Sequence, residues 1–178
     1  MKKFLLLAIM ATSVSYASTQ ILSTKFPREI ANLVEIDEQE YCLALNVYHE
    51  ARSEPLVGKF AVSDVVLNRV RDSRWPDTVC GVVYDGPTKP SWKDETKLIP
   101  IRNRCQFSWY CDGRDDTPLD QEAWYEAQIV SHEILNRGRF RGVTEGATHY
   151  HASYVKPEWR TWFYPVGRIG SHIFYRSE

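Results

Sequence analysis

The chain is poor in the features that would point to nucleic acid, a membrane or a thiol active site. Its 22 basic and 23 acidic side chains leave a formal net charge of −1, and a chain without a basic excess does not favour a nucleic-acid partner. No C-x-x-C pair occurs among its cysteines, Cys42, Cys80, Cys105 and Cys111, which argues against a zinc ribbon or a redox motif. No G-x-S-x-G is present, so a serine nucleophile elbow is not expected. His49-Glu50 and His132-Glu133 each begin like H-E-x-x-H, but Ser53 and Asn136 stand at the closing positions, so neither reads as a zinc-protease helix. The apolar run from Phe4 to Met10 is quickly diluted by Ser and Thr, well short of the roughly 20 residues of a membrane span. The sequence shows no internal repeat, no low-complexity tract and no second domain.

What is present begins with an export signal. Lys2 and Lys3 precede the apolar run, and Ser15-Tyr16-Ala17 has the small-x-small form of a cleavage site. Residues 1–17 are read as a signal peptide, 18–36 as an arm and 37–178 as one catalytic domain. No stable membrane span is expected after cleavage. In an oxidising compartment four cysteines make up to two disulfides. Three connectivities remain open. A bond between Cys105 and Cys111 would hold the enclosed loop rigid. Six Trp and ten Tyr are many for this length; they serve as core bulk or as faces on which a sugar stacks.

Hydrophobic periodicity places the elements. Asp37 and Glu40 form a capping pair for a helix that Ser53-Glu54-Pro55 ends, because a residue before proline disfavours helical angles. A second helix is expected over about Val57–Arg71, with Val57, Ala61 and Val65 on one face. Thr78–Tyr84 reads as a short strand or helix. Asp85–Ile101, rich in Gly, Pro, Lys and Ser, reads as one long surface loop. A third helix starts at Leu119-Asp120 and stops at Gly138. His149-Tyr150-His151 and Arg168–Tyr175 are the expected strands.

The chemistry is concentrated in Leu43-Ala44-Leu45-Asn46-Val47-Tyr48-His49-Glu50. At roughly 100° per residue, Leu43, Val47 and Glu50 share one stripe and Ala44, Leu45 and Tyr48 another, so Glu50 is a carboxylate on a helix packed on most sides. Burial makes such a carboxyl hold its proton, and a proton-holding acid near neutral pH is what breaking a glycosidic bond requires. The bland alternative pairs Glu50 with Arg52 or another base in a structural role. A partner carboxylate would be Asp112, Asp64 or Glu54, although Cys111-Asp112-Gly113 also reads as a turn. A competing metal reading uses His149 and His151, on one face of a strand, with His172, as in a zinc amidase or endopeptidase. A third reading is a non-catalytic wall-binding module.

The chain resembles the SleB/CwlJ cell wall hydrolase family. The resemblance rests on Leu45–Arg52, Gly58–Val62, Val66–Val70, Trp75–Tyr84, Cys105–Trp109, Ala147–His151 and Gly170–Tyr175, in order and spanning about Cys42 to Tyr175. It implies an α+β fold, a compact and mainly helical core with a small β part, distantly lysozyme-like. It also implies an enzyme that cleaves peptidoglycan glycan strands as a lytic transglycosylase, without cofactor or metal, with Glu50 at the position of the family's catalytic Glu. Gln106, Ser108 and Trp109 are candidates for lining the sugar groove, with His149 and Tyr150 opposite and Asp112 nearby. Asn68 is expected to bond the core and Arg69 to pair with an acid. Spore-associated members carry a peptidoglycan-binding repeat ahead of the catalytic part. This sequence shows none, so the expectation is a general periplasmic or secreted wall hydrolase.

Overall fold

Helix α1 spans Glu38–Ala51, and Asp37 caps it by accepting a hydrogen bond from the Gln39 N–H at 2.8 Å. This satisfies one of the donors that a helix start leaves without a partner. The computed structural model describes residues 36–177; the expected signal peptide, and the arm apart from Ile36, lie outside the described residues. Glu40 does not close a capping box. It reaches instead to the helix that packs on α1, 3.0 Å from His132 Nδ1.

Helix α2, Leu56–Val70, begins directly after Pro55. Thr78 caps the short helix α3, Val79–Val83, through its hydroxyl, so the ambiguous segment is helical. Helix α4, Gln121–Arg137, is capped by Asp120 and ends at Gly138, whose φ of 65° is the left-handed stop that glycine adopts readily. Ala61 and Val65 of the expected α2 face are fully buried, whereas Val57, in the first turn, is 38% exposed.

Two β features differ from expectation. The supposed loop Asp85–Ile101 contains an antiparallel hairpin, β1 (Thr88–Pro90) with β2 (Leu98–Pro100). Its turn is held by Asp94, which accepts from the Thr96 N–H and hydroxyl. The hairpin is largely exposed, so its strands carry no apolar alternation to reveal them. The expected single strand Arg168–Tyr175 is broken at Gly170, whose φ of +59° turns the chain. The result is β4 (Tyr164–Ile169) followed by β5 (His172–Arg176), which with β3 (His149–Ala152) form an antiparallel sheet in the order β3-β5-β4.

α1 is the central element. Leu43, Ala44, Val47 and Tyr48 are buried among Val82 and Val83 of α3, Phe60 and Val66 of α2, and Ala127, Val130 and Ile134 of α4. Each large side chain so buried contributes about 1.5–3 kcal/mol. A second cluster, Ala61, Val65, Ala147 and Phe174, joins α2 to the sheet. Cys42–Cys80 links α1 to α3, and Cys105–Cys111 closes the loop ahead of α4, which selects one of the three connectivities. The expected α+β architecture, a helical core with a small sheet, is the one observed. Among the described residues no helix is long and apolar enough to cross a membrane.

Candidate active site

Glu50 lies in the last turn of α1, half-buried, with its side chain directed at β3. The Tyr150 hydroxyl donates to Glu50 Oε2 at 3.0 Å. Burial raises the Glu50 carboxyl above its ordinary value of 4.5, against the opposing effects of the Tyr150 hydrogen bond and the Arg69 charge. The same burial, with the Glu50 charge, pushes the Tyr150 hydroxyl well above 10, so it remains a donor. Arg52 does not pair with Glu50; its guanidinium lies over the Tyr48 ring, 5.3 Å from the centroid.

Arg69 approaches from α2. It is 5% exposed, and its Nε donates to the Thr148 carbonyl at 2.8 Å. The sequence suggested an acid partner for Arg69. The structure gives it a backbone carbonyl and two aromatic neighbours, Trp75 and Phe107, at 5.6 and 5.2 Å. Burial lowers its proton affinity, and the Tyr150, Asp85 and Glu50 charges act the other way. Asn68 bonds the core as expected, donating to Thr144 Oγ1 and the Ala147 carbonyl.

The alternative carboxylates are engaged elsewhere. Asp64 is fully buried and accepts from the Gly142 and Thr144 N–H groups, the Thr144 hydroxyl and Arg141. It thereby anchors the loop between α4 and β3. Glu54 accepts from the Ser171 N–H at 2.9 Å and from the Ser171 hydroxyl. Asp112 ends the short 3-10 helix Ser108–Cys111 and accepts from the Arg114 N–H, which is the turn role.

The histidines do not converge. His149 stacks on Phe163 at 3.9 Å and meets Trp75 and Trp159 edge-on or tilted. Burial, with the Arg69 and Arg74 charges, lowers it to about 4, so it is neutral near pH 7. His151 has both ring nitrogens engaged, with the Tyr175 hydroxyl and the Ala152 carbonyl. His172 lies against Tyr150, ring centroids 5.1 Å apart. Among the described residues no three His, Cys, Asp or Glu side chains are grouped to hold a metal ion.

Residues 53–175 match the family described as Cell Wall Hydrolase. The chain belongs to the cell wall hydrolase family. It is similar to the spore cortex-lytic enzyme of Halalkalibacterium halodurans, 30% identical over 139 residues that make up 78% of this chain and 34% of that one. It is also similar to that of Bacillus subtilis, 44% identical over 43 residues, 24% of this chain and 14% of that one. The chain thus spans about a third or less of the length of these relatives. Its fold resembles the crystal structure of the catalytic domain of the Bacillus cereus SleB protein, with a TM-score of 0.53, 24% identity, and 79% and 91% of the two chains covered. It likewise resembles the catalytic domain of the germination-specific lytic transglycosylase SleB from Bacillus anthracis, with a TM-score of 0.55, 23% identity, and 80% and 98% covered.

The family match begins three residues after Glu50, so the part assigned to Glu50 rests on its geometry. Of the other candidates, Tyr150 contacts Glu50. Gln106 and Ser108 are exposed on the loop closed by Cys105–Cys111. Trp109 is only 8% exposed; its indole N–H donates to Asn46 Oδ1, and one face is covered by His49 at 4.5 Å. An open pocket of ≈ 500 Å³ lined by Arg74, Trp162, Phe163 and Tyr164, among others, meets His149 through Phe163. Arg69 was expected only to pair with an acid, because in sequence a buried Arg on an apolar helix looks the same whether its partner is an acid, a carbonyl or an aromatic ring.

Proposed function

We propose that the protein is an exported enzyme that cleaves peptidoglycan glycan strands between N-acetylmuramic acid and N-acetylglucosamine, as a lytic transglycosylase. The observation that carries this reading is the Glu50 carboxyl, whose hold on its proton burial strengthens and which Tyr150 orients. Glu50 protonates the bridging oxygen as the C1–O bond breaks, and the substrate's own acetamido oxygen stabilises C1. The Glu50 carboxylate then takes the proton from the muramoyl O6, which closes the 1,6-anhydro ring. Paired-carboxylate hydrolysis needs a second acid within about 5–9.5 Å. Asp64 is held by Arg141 and Thr144, and Glu54 by Ser171, which favours one-acid chemistry. The family and the relatives named as spore cortex-lytic enzymes support the substrate class. The two disulfides accord with an oxidising compartment.

Gln106 and Ser108 supply polar groups to the sugar groove in this reading. Trp109 and Asp112 shape the closed loop beneath them; Tyr150 lines the Glu50 side, and His149, its neighbour on β3, lies on the other face against Phe163. The test is mass spectrometry of fragments released from purified sacculi by the native chain and by Glu50→Gln. Fragments ending in 1,6-anhydro-muramic acid, absent with the variant and undiminished by a strong chelator, are the expected result. Reducing-end muramic acid would replace the transglycosylase by a hydrolase. Free peptides with intact glycan would overturn the sugar reading.

A further inference from the structure

We propose that Arg69 is a positioning residue of the acid site, a fixed buried cation that holds the Glu50 carboxylate during the interval in which Glu50 has given up its proton. The proposal rests on the one-acid reading above.

The first observation is an imbalance. A buried charge is costly unless it is paired and hydrogen-bonded. Lys59 of α2, 4% exposed, meets this with Glu126 at 2.5 Å. Arg141 meets it with the buried carboxylate of Asp64. Arg69 is as buried as Lys59 and is in ion-pair contact with no carboxylate among the described residues, and its Nη1 is buried without a hydrogen-bond partner. Anchoring the Thr148 carbonyl needs only a neutral donor, so that bond does not account for the charge.

The second observation is placement. Thr148, whose carbonyl holds Arg69 Nε, lies two residues before Tyr150, whose hydroxyl holds Glu50, so one short stretch of chain anchors both side chains. The rings of Trp75 and Phe107 flank the guanidinium and keep it from swinging to solvent. Tyr150 of β3 bonds Glu50, and the charge of Arg69 on α2 acts on it. Asp85, following α3, acts on Arg69, and His172 of β5 lies beside the Tyr150 ring.

The reaction supplies the missing partner for part of each cycle. In the form that donates, Glu50 carries its proton, and the Arg69 charge is unmatched. When that proton passes to the bridging oxygen, Glu50 becomes an anion that the Arg69 charge favours. It stays one until it takes the proton of the attacking hydroxyl. Arg69 therefore limits how far burial raises the proton affinity of Glu50 and keeps the carboxylate aimed at the sugar between the two transfers.

The test is the pH dependence of kcat and KM on soluble, uncrosslinked glycan strands for the native chain, Arg69→Gln and Arg69→Lys, with thermal melting of each. Glutamine retains a donor for the Thr148 carbonyl and removes the charge. Arg69→Gln is expected to move the alkaline limb of kcat upward by about one pH unit, because an unopposed Glu50 keeps its proton longer, and to lower kcat by about 10- to 100-fold, with KM within about twofold. Arg69→Lys is expected to keep the native limb. A folded Arg69→Gln with the native limb and native kcat would overturn the proposal. If glutamine impairs folding, Arg69→Lys carries the test, and a displaced limb there would overturn it. Glu50→Gln run alongside separates the two claims: its activity would sink the one-acid reading, whereas its inactivity beside a native-like Arg69→Gln would sink this inference alone.

Discussion

A carboxyl that binds its proton more tightly in the folded chain than in the unfolded one makes the fold less stable as pH rises. Burial does this to Glu50. Its contribution is fully present below the ordinary value of 4.5 and is lost as pH climbs through the raised folded value. Glu50→Gln, which keeps the shape and an acceptor for Tyr150 without the charge, should melt at a higher temperature than the native chain near pH 7. The difference should shrink to nothing below about pH 4. Equal melting temperatures at both pH values would remove the buried-acid account. Tyr150→Phe deletes the hydrogen bond that opposes burial, so the alkaline limb of its pH–rate profile should move upward. A downward move would mean that the hydroxyl serves some other group. At this scale Glu50 was legible because a lone carboxylate interrupts an apolar helix. Its contact with Tyr150 was not, since the two residues are 100 positions apart and nothing local couples them.

Among the elements, the β4–β5 hairpin is set against the α1–α2 junction by Glu54. Burial raises the Glu54 carboxyl, but the hydroxyl and N–H of Ser171, with the charges of His172 and Arg168, outweigh it and hold it below its ordinary value of 4.5. Stability from this contact is present above that value and fades as pH falls through the lowered one. Gly170, at the turn, leaves no room for a Cβ beside Glu54, whereas Gly138 faces open space at a similar positive φ. Gly138→Ala should therefore cost about 1–2 kcal/mol, the left-handed penalty alone. Gly170→Ala should cost more, by the roughly 1.5–3 kcal/mol of a displaced charge-assisted hydrogen bond. Urea unfolding of both variants would show it, and equal costs would mean that Glu54 does not clamp the hairpin. The three long helices were readable from caps and periodicity, with Asp37, Asp120 and Gly138 marking their ends. The hairpin 88–100 and the break at Gly170 were not. An exposed hairpin carries no alternation, and a glycine inside a β-prone run looks the same before and after it turns the chain.

Over the whole molecule, the two disulfides stabilise unequally. Cys42–Cys80 closes a separation of 38 residues and Cys105–Cys111 one of 6. Loop-closure entropy gives about 4 kcal/mol for the first and about 2 for the second. Replacing each pair by serine and measuring guanidinium unfolding should reproduce that order, and the reverse order would show that the short loop carries the larger stabilisation. The cysteine count announced the bonds but not the pairing, which follows from α1 lying on α3. The account as a whole turns on Glu50 being an acid that keeps its proton where an ordinary glutamate has lost it. The direct measurement is a ¹³C NMR titration of the Glu50 side-chain carboxyl in the intact protein, assigned by its absence in Glu50→Gln. A midpoint clearly above 4.5 is the predicted result; a midpoint at or below that value would contradict the account.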